Sequence, residues 1–244
     1  MLIKACLNGS RRPDQHEALP LSPTALASDA SECQRVGAGA VHIHPRGMGG
    51  RETLEPDPCA AAIEAIRDRC PGLPVGVTTG LWITSNSTRR LAMIERWTVL
   101  PDFCSVNVCE PGTDQLCDLL LARGVGIEAG LSSIADARLY VDSTFRDRCI
   151  RVLIEVEPGG PDDPLKSADA IRRILDAGGV NLPRLQHGLG TTAWLLFADA
   201  LARGYDVRIG LEDTLAMPDG SGATSNAELV AAAARLASQT AARS

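Results

Sequence analysis

Ala38-Gly39-Ala40-Val41-His42-Ile43-His44-Pro45-Arg46 is a short apolar run that holds two of the chain's four histidines. It follows a segment of helical periodicity, about Pro23 to Val36, which opens with Ser22-Pro23 and closes at Gly37. A serine ahead of a proline at the first helical position is a start signal, and glycine past the last turn is a stop signal. The unit therefore reads helix, turn, strand. A strand of nearly continuous apolar character is covered on both faces, which is the condition of a parallel sheet. In such a strand, residues two apart share a face, so His42 and His44 point the same way.

The same unit recurs along the chain. Apolar runs rich in β-branched residues lie at Leu2 to Leu7, Ala40 to His44, Pro74 to Thr78, Phe103 to Val108, Val125 to Leu131, Cys149 to Val156, Arg184 to His187 and Asp206 to Leu211. Segments of helical period separate them: Cys59 to Arg69, capped from Asp57-Pro58, then Thr88 to Trp97, Thr113 to Arg123, Ile134 to Asp142, Ser167 to Ala177, Thr191 to Arg203 and Asn226 to Ala237. Strict alternation of strand and helix predicts helices packed on a parallel sheet. Eight such units predict a single (β/α)8 TIM barrel domain over residues 1–244. A doubly wound open sheet has similar local signals, but its first βα turn should carry a Gly-x-Gly-x-x-Gly phosphate loop. Here that turn reads Asn8-Gly9-Ser10-Arg11-Arg12-Pro13, without that spacing.

Composition narrows the function. With 244 residues and 45% hydrophobic content the chain can bury a large core, and its net charge of -6 argues against nucleic acid as a partner. The eight cysteines are scattered with no Cys-x-x-Cys pair, which fits small core residues in a reducing cytoplasm better than a zinc ribbon. Neither a signal peptide nor an 18-residue apolar run is readable, so no membrane partner is expected.

In an α/β barrel the chemistry comes from the carboxyl ends of the strands. Two imidazoles on one face are part of a divalent-metal grip that needs a third ligand, commonly a carboxylate. Barrel closure sets strand eight beside strand one, and its end reads Arg208-Ile209-Gly210-Leu211-Glu212-Asp213. Glu212 can then reach a metal on His42 and His44, leaving positions open for a substrate oxygen. Its neighbour Asp213 can act as a base or orient one, and Arg208 can hold a carboxylate. Thr78-Thr79-Gly80 ends strand three with two hydroxyls and a glycine that lets backbone N–H groups approach a small carboxylate. Ser105 and Asn107 share a face of strand four, and Glu128 is read as the end of strand five at the same mouth. His-x-His alone also suits two histidines satisfied by hydrogen bonds, and Glu128 suits either an exposed acid or a buried base. His187, after Gln186 on strand seven, is read as structural.

In this order the pieces resemble the β-keto acid cleavage enzymes, zinc-dependent (β/α)8 barrels. The likeness rests on Ala38 to Arg46, Thr78-Thr79-Gly80, Arg208 to Asp213 and Ser225-Asn226-Ala227-Glu228-Leu229-Val230, and runs from Lys4 to the tail. It implies Zn2+ bound by His42, His44 and Glu212. It also implies acyl transfer between a β-keto acid and acetyl-CoA, giving acetoacetate and a new CoA thioester, in a homo-oligomer. The resemblance assigns Asp213 as general base, Arg208 as the group orienting it, Glu128 as a second acid, and Thr78 and Ser105 as substrate-binding hydroxyls with Thr79 and Gly80 beside them. The chain departs from the family at Arg11, where some members carry a glutamate, at Thr191-Thr192 in place of an Arg-His pair, and at Leu81 in place of a second glycine. Arg11 would favour a second negative charge on the substrate. A metal-assisted aldolase or lyase and a non-catalytic metal-binding barrel are the alternatives.

Overall fold

Residues 1–156, 159 and 163–242 are described by the computed structural model of the chain. Eight parallel strands close on themselves among these residues: β1 (Ile3–Cys6), β2 (Ala40–Ile43), β3 (Val75–Thr78), β4 (Phe103–Asn107), β5 (Gly126–Leu131), β6 (Arg151–Val156), β7 (Arg184–Gly188) and β8 (Asp206–Ile209). The helices are α1 (Pro23–Arg35), α2 (Pro56–Arg69), α3 (Ser87–Glu95), α4 (Thr113–Ala122), α5 (Ile134–Asp142), α6 (Pro164–Ala177), α7 (Ala193–Ala202) and α8 (Asn226–Ala241). β1 takes β2 on one side and β8 on the other, with Cys6 in register with His42 and Lys4 in register with Arg208. The chain is a (β/α)8 TIM barrel.

Local chemistry explains most element ends. Ser22 accepts from the Ala25 N–H ahead of Pro23, and Asn86, Asp163 and Ser225 cap α3, α6 and α8 in the same way. Ser133 and Asp136 form a reciprocal capping box on α5. α2 begins at Pro56, before the Asp57-Pro58 start read from sequence. Its proline sits in the first turn, and Asp57 then lies beside the positive end of the helix dipole. α7 begins at Ala193 after a 3₁₀ turn over Gly190–Thr192, so Thr191 belongs to that turn.

Alternation along each strand sorts two kinds of residue. Ala5, Val41, Ile43, Val75, Val77, Cys104, Ile127, Val152, Ile154, Val207 and Ile209 join the hydrophobic core shared with the helices. The positions between them face the barrel interior, and many are polar. Lys4 on β1 forms a short ion pair with Glu128 on β5, which places both side chains across the lumen, fully buried. Arg151 Nε lies 3.2 Å from Glu128 and its Nη1 lies 3.1 Å from Asp206, so the lower lumen is a charged layer. Seven of the cysteines are buried and unpaired, with Cys109 exposed.

One side chain ties the end of the barrel together. Asn226, at the start of α8, accepts from the Leu211 N–H at 2.6 Å and donates to Leu7 O at 2.8 Å and to Asp29 Oδ2 at 2.6 Å. It thereby joins the segments after β8 and β1 to α1. No helix among the described residues is long and apolar enough to cross a membrane.

Candidate metal centre

The carboxyl ends of the strands surround a cavity of about 520 Å3 whose lining includes His42, His44, Glu212, Asp213 and Arg208. His42 and His44 bring their Nε2 atoms to 3.1 Å from each other. Glu212 Oε2 lies 3.9 Å from His42 Nε2 and 3.6 Å from His44 Nε2. These are the donor types and the convergence that a divalent cation needs. Glu212 Oε2 has no hydrogen-bond partner among the described residues although it is buried, and a cation between the three atoms would satisfy it. The residues present therefore fit a divalent metal.

The loop after β1 closes this corner. Gly9 has φ +52°, and a Cβ there would collide with the Glu212 side chain. Only glycine takes that backbone shape while giving Glu212 its place. Burial holds His42 well below the ordinary imidazole range, so it presents a neutral ring. Burial also lowers His44, but the Glu212 and Glu52 carboxylates outweigh it and lift that ring above its ordinary value. Protons then compete with metal for His44 as pH falls.

Arg208 divides the two acids that follow β8. Its Nη2 donates to Glu212 Oε1 at 2.6 Å and to Asp213 Oδ1 at 2.5 Å, and its Nε donates to Asp213 Oδ1 at 3.1 Å. One Glu212 oxygen is therefore held by arginine while the other faces the histidines. Burial raises Glu212, yet Arg208, His44 and His42 outweigh it and keep the carboxylate well below its usual range. Asp213 ends on the other side of the balance: burial raises it, Arg208 and His187 lower it, Glu212 raises it again, and it rests above the usual value. An ionised ligand beside a more basic neighbour is a division of labour set by environment.

The remaining candidates separate by position. Thr78 and Ser105 are register partners on β3 and β4 and both line the cavity. Thr79 turns away and donates its hydroxyl to Ser105 O at 2.6 Å. Gly80 makes room for the indole of Trp82, since a Cβ there would overlap the ring. Glu128 does not reach the mouth: β5 continues to Leu131, so Glu128 is mid-strand and committed to Lys4 and Arg151 below the cavity. The strand ends at Leu131 as expected, and Glu128 lies three residues short of that end.

Two cavity-lining residues and one behind them are absent from the expected site residues. Glu155, the penultimate residue of β6, is in register with His187 and lies 3.4 Å from its Nε2. His187 Nδ1 in turn lies 3.7 Å from Asp213, and neither ring nitrogen has a hydrogen-bond partner among the described residues. The read of His187 as structural gives way to a ring that faces the cavity between two acids. A carboxylate inside the run Cys149 to Val156, four residues after Arg151, was the available signal for Glu155. The third is Glu52, in the loop after β2, which bonds His44.

A profile of the family described as beta-keto acid cleavage enzyme matches residues 1–143 and 152–243. The chain belongs to the β-keto acid cleavage enzyme family. Among relatives, the 3-keto-5-aminohexanoate cleavage enzyme of Fusobacterium nucleatum subsp. nucleatum is 24% identical over 264 residues, covering 98% of this chain and 92% of that protein. The protein of the same name from Acetoanaerobium sticklandii is 21% identical over 267 residues, with the same two coverages of 98% and 92%. Among solved structures, the apo form of ObcA superposes with TM-score 0.67 at 20% identity, over 88% of this chain and 60% of that one. A ternary complex of ObcA with a C4-CoA adduct and oxalate gives TM-score 0.68 at 20% identity, over 88% and 62%. This member of the β-keto acid cleavage enzyme family thus spans about three fifths of the ObcA chains, and the likeness to them is one of fold.

Proposed function

We propose that the protein is a zinc-dependent acyltransferase that converts a β-keto acid and acetyl-CoA into acetoacetate and a new acyl-CoA. The observation that carries this reading is the pairing of a metal-facing Glu212 with a buried, more basic Asp213 on one arginine. Thr78 and Ser105 offer neighbouring hydroxyls to the substrate carboxylate. His42, His44 and Glu212 would hold zinc, which supplies Lewis-acid polarisation of the keto oxygen.

Asp213 takes a proton from C2, the carbon between keto and carboxylate groups, while Arg208 keeps its carboxylate in place. C2 then attacks the thioester carbon of acetyl-CoA and expels the CoA thiolate. The thiolate adds to the original keto carbon, the C2–C3 bond breaks, and C2 recovers its proton from Asp213. The products are acetoacetate and the acyl group of the keto acid on CoA.

Arg11 lines the cavity and its Nε donates to Leu211 O, next to the Glu212–Asp213 wall. A cation there favours a dicarboxylic β-keto acid. The decisive assay follows acetoacetate and acyl-CoA from a panel of β-keto acids with acetyl-CoA. Cleavage that proceeds equally without CoA would reassign the protein as a lyase. For dicarboxylic substrates, Arg11→Ala should raise KM about tenfold or more and leave neutral substrates unchanged; equal effects on both would remove the charge argument. The reading also carries a cytoplasmic homo-oligomer, which cell fractionation and light scattering test.

A further inference from the structure

Glu52 reaches the site through a small hairpin. After β2 the chain doubles back, with Gly47 N–H donating to Arg51 O at 2.8 Å, Thr53 N–H donating to Pro45 O at 3.0 Å, and Arg46 bridging Glu52 in antiparallel fashion. This fold-back returns a carboxylate to the end of the strand that carries the histidines. Glu52 Oε1 lies 2.5 Å from His44 Nδ1, with the two side chains 13% and 5% exposed. The Trp82 Nε1–H donates to both Glu52 oxygens, at 3.3 and 3.2 Å, and Ser10 also bonds this carboxylate.

The consequences follow from imidazole chemistry. A neutral ring has one N–H, and a carboxylate at Nδ1 keeps the proton there. The His44 Nε2 lone pair is then directed at the point where His42 Nε2 and Glu212 Oε2 converge. The Trp82 ring stacks on His44 with centroids 6.3 Å apart and planes at 27°, which opposes rotation of the imidazole. His42 has no such support, since its Nδ1 is buried without a partner among the described residues. The two ligands are therefore unequal.

Resting on the reading of His42, His44 and Glu212 as a metal site, we propose that Glu52, held by Trp82, is the positioning residue of that site. It sets the tautomer and aim of His44, so affinity for a divalent cation depends on a side chain that never touches the cation. An outer carboxylate of this kind contributes about 10- to 100-fold in metal affinity.

The experiment measures the zinc dissociation constant of the full chain, stripped with chelator and titrated against a chromophoric competitor. Glu52→Ala should weaken zinc binding about 10- to 100-fold, with Glu52→Gln between it and the parent because the amide oxygen still accepts from Nδ1–H. In the zinc-loaded parent the His44 Nδ1–H proton should resonate far downfield, as a charge-assisted bond requires, and that signal should vanish in Glu52→Ala. Zinc-free melting temperatures report whether each variant folds, and Glu52→Gln decides the matter if Glu52→Ala does not. Affinity within twofold of the parent for the folded variants would overturn the positioning role while His44→Ala still abolished binding. Undiminished zinc binding in His44→Ala and Glu212→Ala would instead overturn the metal site itself, and the positioning role with it.

Discussion

Asp213 illustrates how a side chain's role depends on what opposes its burial. It has 0% exposure and accepts from two nitrogens of Arg208, yet its carboxyl stays above the usual value because the desolvation of a buried acid exceeds what the arginine returns. Asp213→Asn keeps the shape and removes the base. Turnover should fall by about 10²- to 10⁴-fold with melting temperature and zinc content little changed; steady-state kinetics and metal analysis check this together. At the same scale, sequence showed the two histidines because period-two alternation fixes a shared face, and it showed Glu212 because barrel closure fixes a neighbour. It did not show Glu52, whose approach depends on a fold-back between residues 46 and 52. Nor did it show which way His187 points, which depends on the pleat phase of a short strand.

Elements set the next level of behaviour. The Lys4–Glu128 pair joins β1 to β5 across the lumen, where neither charge meets water. Removing Glu128 strands Lys4, whereas removing Lys4 leaves Glu128 its contact with Arg151, so Glu128→Leu alone should cost about 3–5 kcal/mol and Glu128→Leu with Lys4→Met far less. Denaturant midpoints of the two singles and the double close that cycle. Asp29 on α1, which accepts from Asn226 at the start of α8, supplies a pH-dependent term. Burial pushes it up to about 7, against the Asn226 bond that lowers it and with Glu32 adding to the rise. A carboxyl raised on folding binds its proton more tightly in the native state, so stability declines as pH rises from about 4, its ordinary value, through about 7 and then levels. Asp29→Asn keeps an acceptor for Asn226 and should make the protein more stable at pH 8 with a flatter profile between pH 5 and 8. Chemical denaturation at the two pH values is the check. Strand and helix order was readable because each unit repeats the same signals, while boundaries moved by a turn where Pro56 preceded the expected cap.

For the whole molecule, a bound metal links to folding. A ligand held only by the native barrel stabilises it by about 2.7 kcal/mol at a concentration of 100 Kd. In a domain of this size that is a rise of about 5–10 °C in melting temperature. Zinc should therefore raise, and chelator lower, the melting temperature of the parent, with no response in Glu212→Ala; differential scanning calorimetry reads both. Barrel closure was legible from the count of units, because eight strands without a phosphate loop leave few other topologies. The charged lumen was not, because only the closed sheet shows that Lys4 and Glu128 face each other from opposite walls.

The Asn226 bond to the Leu211 amide bears on how the protein is made. A ribosome releases His42 and His44 long before Glu212, and Glu212 before the helix whose first residue pins the segment carrying it. During that interval the nascent chain displays four histidines and eight thiols that can capture soft cations in the wrong company. In the finished fold seven of those thiols lie in the core and the carboxylate stands opposite the histidines. A cation that needs all three groups can be held only once Glu212 has joined the histidines, so excess zinc during synthesis should yield more misassembled protein, read as the aggregated fraction on expression with and without added zinc.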